Sequence, residues 1–76
     1  MRHIEHRLTG EFIELNKLLK LTGVCPSGGA AKALVASGGA AVNGAVETRK
    51  TCKIRAGQTV SVADLRISVQ GVPPAP

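Results

Sequence analysis

Aromatic side chains are nearly absent from this chain. Phe12 is the one ring among 76 residues, and there is no Tyr and no Trp. That scarcity excludes an aromatic core, so Leu, Val, Ile and Ala have to fill the interior. It also excludes the stacked aromatic platform with which proteins commonly grip single-stranded RNA. A polyanion bound here has to be held mainly by its phosphates and its shape. Cysteine is sparse as well: Cys25 and Cys52 stand alone without CxxC spacing, which gives neither a disulfide framework nor a zinc knuckle. We expect both thiols to be reduced and part buried in a cytoplasmic protein. No apolar run approaches the ~20 residues of a membrane span. Glu5, His6, Arg7, Glu11 and Glu14 break up the start of the chain, so no signal-peptide core is expected there.

What is present is an aliphatic and basic chain. Apolar residues make up 43% of it and the mean hydropathy is +0.12, enough for one compact core. A domain this small buries only ~60% of its unfolded surface, which leaves little interior for a deep substrate pocket. Ten Lys and Arg against five Asp and Glu give a net charge of +5. Such a field attracts polyanions, and it also serves plain solubility; clustering has to separate the two.

Along the chain, residues 1–10 read as a polar, flexible arm, residues 11–70 as the single folded domain, and residues 71–76, GVPPAP, as a disordered Pro-rich tail. The alternation in residues 11–15 suggests a short strand. Asn16 is a candidate N-cap for a helix over 17–22, with Leu18 and Leu21 on its buried face, Lys17 and Lys20 sharing another, and Gly23 as the stop. Ser27 then caps a second helix ending near Ser37, with Ala31, Leu34 and Val35 inward and Lys32 outward. From residue 40 the pattern turns to strands. Asn43-Gly44 between AAV and AVE predicts a type I′ hairpin. Residues 52–55, 58–62 and 65–69 follow as further strands, the last with Leu65, Ile67 and Val69 inward. Two helices followed by a run of strands make an α+β fold.

Arg49, Lys50, Lys53 and Arg55 form the densest group of cations. Lys53 and Arg55 are two apart and so project from one side of a strand. The cluster suits phosphates, which accept hydrogen bonds from Arg and Lys; it also suits a solvated strand edge guarded against aggregation. Glu47 reads as a local charge partner of Arg49 and Lys50. Ser27-Gly28-Gly29 opens a helix, where an anion is favoured, but it lacks the spacing and the Lys of a P-loop. His3 and His6 would share a helical face, yet two ligands do not make a metal site. No nucleophile, base and orienting group are placed together. No enzymatic activity, cofactor or metal is therefore expected.

LNKLLKLTGV, PSGGAAKALVASGGAAVNGAVET and IRAGQTVSV occur in this order between Leu15 and Val62. In these pieces the chain resembles the RNA-binding domain of the small-subunit ribosomal protein S-four family, the alpha-L RNA-binding motif. ETRKTCKIRAGQTVSV is most similar to the family's small stand-alone, YbcJ-like members. The resemblance implies two short helices packed on a small, twisted antiparallel sheet of about four to five strands. It also implies that RNA meets the helical face and the adjoining hairpin. On this chain the implied contacts are Lys17 and Lys20 of the first helix, Ser27 and Lys32 of the second, Asn43 in the hairpin turn, and Arg49, Lys50, Lys53 and Arg55 beyond it. Many members follow the capping Ser with two arginines. Here Gly28 and Gly29 stand in those places, so the resemblance implies either weaker RNA binding or a contact shifted toward Arg49, Lys50, Lys53 and Arg55. The implied partner is structured RNA, with ribosomal and transfer RNA as candidates. The alternative is a protein-interaction adaptor on a ribonucleoprotein assembly; the chain is expected to be a monomer on either reading. No membrane partner is implied.

Overall fold

The computed structural model describes residues 2–71. Of the expected tail only Gly71 falls within this range; the rest lies outside the described residues. In chain order the elements are β1 (Arg2–Arg7), β2 (Ile13–Glu14), α1 (Leu15–Leu21), α2 (Gly28–Ala36), β3 (Ala41–Val42), β4 (Ala45–Val46), β5 (Lys53–Ile54), β6 (Thr59–Val62) and β7 (Leu65–Gln70).

The α+β expectation stands, with one change to the sheet. Five strands line up in the order β1-β7-β6-β3-β4, and β2 pairs with β5 in a separate two-stranded ladder. The sheet is mixed rather than antiparallel, because β1 runs parallel to β7 from Arg2↔Leu65 to Arg7↔Gln70. The segment expected to be a flexible arm is thus the edge strand of the main sheet. Leu8 continues the pairing, its N–H donating to the Gln70 carbonyl at 2.8 Å, and is itself buried. β1 carries Ile4 as its one apolar residue among charged and imidazole side chains. Such a composition suits an exposed edge and gives no periodic apolar signal.

Helix α1 begins two residues earlier than expected. Glu14 occupies the N-cap position, without a side-chain cap, and Asn16 lies inside the first turn. The exposed N–H groups are met by another segment: Leu15 N–H donates to the Cys52 carbonyl at 2.9 Å and Asn16 N–H to the Lys50 carbonyl at 3.0 Å. The earlier start changes the buried face. Leu15, Leu18 and Leu19 are fully buried, at i, i+3 and i+4, whereas Leu21 is 67% exposed. At about 100° per residue, Lys17 and Lys20 fall on the side opposite that leucine stripe. Thr22 and Gly23 close the helix, Gly23 with φ of +79°.

Helix α2 follows the expectation closely. Ser27 Oγ accepts from Ala30 N–H at 3.1 Å, and Gly38 ends the helix at φ of +81°. Ala31 and Val35 are buried, with Leu34 packed against the core. The β3–β4 hairpin turns on Asn43 (φ 51°) and Gly44 (φ 84°), the two positive values of a type I′ turn. Val60, Ile67 and Val69 of β6 and β7 complete the core with Ile54 of β5. Among the described residues no polar or charged residue is buried, so the interior is aliphatic apart from the Cys25 thiol and every charge among these residues stays at the surface.

Candidate nucleic-acid interface

The β2–β5 ladder organises the densest cationic surface. It is two residues long, with Ile13 opposite Ile54 and Glu14 opposite Lys53. Ile54 is fully buried and its neighbours Lys53 and Arg55 are exposed, as strand alternation requires. Extending the register by one residue sets Phe12 opposite Arg55. Phe12 is 40% exposed, and both cations lie against its ring: Lys53 Nζ is 4.9 Å from the centroid and Arg55 Cζ is 5.8 Å, within cation–π range. The Arg55 N–H donates to Gln58 Oε1 at 2.6 Å, which fixes the backbone beside that guanidinium.

The turn that precedes β5 carries the other two cations of the cluster. Cys52 N–H donates to the Arg49 carbonyl at 3.1 Å and closes the turn. The carbonyls of Lys50 and Cys52 in turn meet the start of α1, so the turn is docked on the helix that bears Lys17. Lys17 Nζ pairs with Glu14 Oε1 at 3.1 Å. Lys17, Glu14, Lys53, Phe12 and Arg55 thus lie along one ladder, Glu14 and Lys53 as cross-strand neighbours, with Arg49 and Lys50 held alongside by the helix start. An open cleft lined by Arg49, Thr51, Cys52 and Lys53 lies at this turn.

Two cations of the group are paired within the protein. Arg49 binds Glu47 in a forked contact, Nε to Oε2 at 3.1 Å and a terminal nitrogen to Oε1 at 3.1 Å, while its backbone N–H reaches Oε2 at 3.0 Å. The Arg49 side chain, followed by its backbone N–H, holds the Glu47 carboxyl down to a pKa of about 2. The same pairing raises the Arg49 pKa. Cys52 beside it is pushed up, first by burial and then by its contact with Glu47. Cys25 is likewise raised by burial. Both cysteines are free thiols and protonated near neutral pH, so neither is an activated nucleophile.

The remaining sequence-expected residues sit elsewhere along the fold. Lys20 is exposed on α1, one turn beyond Lys17, and Lys32 is exposed on α2. Ser27 and Asn43 have structural duties for their oxygens: Ser27 caps α2, and Asn43 Oδ1 accepts from Thr59 N–H at 2.9 Å, tying the hairpin turn to β6. The contacts around the β2–β5 ladder do not extend to Ser27, Lys32 or Asn43. Sequence reasoning missed the Glu14–Lys17 pair, whose i,i+3 spacing becomes visible once the helix starts at Leu15. It also missed Phe12, set aside as a single ring. His3 and His6 do not share a face; three apart on a strand, they point to opposite sides, and His3 Nε2 lies 2.6 Å from Ser68 Oγ. Among the described residues no group of three or more His, Cys, Asp or Glu is arranged for a metal, and no helix is long and apolar enough to cross a membrane.

The S4 domain family matches residues 6–70. The chain belongs to the S4 domain family. YbcJ of Escherichia coli (strain K12) and YbcJ of Shigella flexneri are each 56% identical to it over 57 residues, spanning 75% of this chain and 81% of theirs. The solution structure of the E. coli protein superposes with a TM-score of 0.68 at 49% identity, covering 87% of this chain and 85% of that one. That structure is described as revealing an alpha-L motif involved in RNA-binding. In this S4 domain the two helices and the hairpin keep the expected order, and the β2–β5 ladder joins the turn after the hairpin to the first helix.

Proposed function

We propose that this S4 domain binds structured RNA by its phosphate backbone, through the cations gathered about the β2–β5 ladder. The observation that carries the reading is the gathering of Lys17, Lys53 and Arg55 along the β2–β5 ladder with Glu14 and Phe12, and the docking of Arg49 and Lys50 beside it. Like charges held this close repel one another, and a polyanion relieves that repulsion. Lys50, Lys53 and Arg55 meet phosphate directly. Lys17 and Arg49 exchange Glu14 and Glu47 for phosphate oxygens, and Lys20 and Lys32 extend the contact along the helices. Ser27 and Asn43 hold the shape of that surface. Membership of the family and the description of the E. coli structure support the choice of RNA over other polyanions. The chain acts in this reading as a binding module in the cytoplasm, with ribosomal and transfer RNA as candidate targets and no chemical step of its own.

Filter binding to a folded RNA across a salt series tests the proposal. The logarithm of the affinity is expected to fall linearly with the logarithm of salt, by ~0.7–0.9 per phosphate contacted. Competition by a DNA duplex of equal length is expected to be weaker. Binding that is absent, or insensitive to salt, overturns the reading.

A further inference from the structure

Phe12 is the sole aromatic residue of the chain, and it is left out of the core. The buried hydrophobic cluster is built from other residues of the helices, strands and loops, and Phe12 is not one of its buried members. Instead 40% of its surface faces solvent immediately before β2, at the end of the β2–β5 ladder. Lys53 and Arg55 stand over the ring at 4.9 and 5.8 Å. The arrangement joins a part-exposed ring to two cations that stand over it and have no carboxylate partner among the described ion pairs.

We propose that Phe12 is the seat for one unpaired nucleobase, which takes the place of the two cations over the ring while Lys53 and Arg55 turn to the phosphates on either side of that base. The inference rests on the RNA-binding reading and narrows it. The preferred ligand is RNA in which a single base is extruded beside a paired segment, rather than an uninterrupted duplex. One ring cannot hold a run of single-stranded bases, but it can hold one, and every base offers a π face. Duplex bases stay stacked on each other and never reach the ring, so only the unpaired base reports on Phe12. A residue that acts by stacking changes the preference between RNAs, whereas the phosphate contacts carry little sequence information.

The test uses the full chain and two RNA hairpins that differ by one bulged adenosine, with a fluorescent aminopurine placed at the bulge in a parallel sample. Phe12→Leu is expected to weaken binding to the bulged hairpin by about five- to a hundredfold, the range for losing one base–aromatic stack. The same variant weakens binding to the uninterrupted hairpin by a smaller factor, because only the ring's contacts with Lys53 and Arg55 are lost there. Phe12→Trp restores the preference, and the aminopurine is quenched on binding the wild type but not Phe12→Leu. An equal loss on both hairpins, or no loss on either, overturns the stacking seat while leaving phosphate binding intact. An aminopurine that stays bright in the wild-type complex overturns it as well, whatever the stability of the leucine variant. If the wild type binds neither hairpin, the RNA-binding reading itself fails, and the base seat fails with it.

Discussion

Glu47 and Arg49 show how an acidic side chain sets the strength of a cationic surface. The forked contact holds the Glu47 carboxyl at a pKa of about 2, below its ordinary 4.5. A carboxylate whose folded pKa is depressed contributes stability that is present above about pH 4.5 and is lost as the pH falls through about 2. Because Arg49 is solvent-exposed the contribution is small, so the cleaner readout is the titration itself. NMR of the Glu47 side-chain carboxyl is expected to follow the lowered value, and Arg49→Ala is expected to return it toward the ordinary one. Titration near 4.5 in the wild type contradicts the pairing. Glu47→Gln frees Arg49 for phosphate, and is expected to tighten RNA binding and steepen its salt dependence by about one contact. Gly39 makes a different point at the same scale. A Cβ there would stand 3.1 Å from the Leu34 carbonyl oxygen and collide with the Leu34 side chain. Gly39→Ala is therefore expected to cost about 1–3 kcal/mol in urea denaturation. The Glu47 partnership was legible from spacing alone. The demand at Gly39 was not, because it arises from how the chain folds back on the end of α2.

Among the elements, the hairpin and α2 were written plainly in the sequence, because local chemistry determines them. Asn43-Gly44 supplies two positive φ values and Ser27 supplies a cap. Ser27→Ala is expected to destabilise the domain by about 1 kcal/mol, read as a fall in the urea midpoint. The start of α1 was misplaced because its cap is tertiary: carbonyls of Lys50 and Cys52 do what Asn16 was expected to do. The first strand escaped notice for a related reason. Its pairing comes wholly from β7, at the far end of the chain, and its own residues carry one apolar position, Ile4. Amide hydrogen exchange checks this element directly. Amides of β1 that bond to β7 are expected to be protected well above the level of an unstructured peptide. Exchange at the unstructured rate over residues 2–7 contradicts the parallel edge.

For the whole molecule, the arrangement places the aliphatic core on one side of the β2–β5 ladder and cations on the other. A chain this short has few ways to hold charges together without burying them, and here none is buried among the described residues. The basic cluster was visible as a run of Arg and Lys after the hairpin. Its connection to the first helix was not, since that depends on a two-residue ladder and two backbone hydrogen bonds between segments far apart in sequence. The central claim is that Lys50, Lys53 and Arg55 neutralise RNA phosphates. The most direct test compares the salt dependence of RNA affinity for the wild type and the Lys50→Ala, Lys53→Ala, Arg55→Ala triple variant. Three lost contacts are expected to make the log–log slope shallower by about 2–3, at ~0.7–0.9 per phosphate; an unchanged slope in a folded variant contradicts the account.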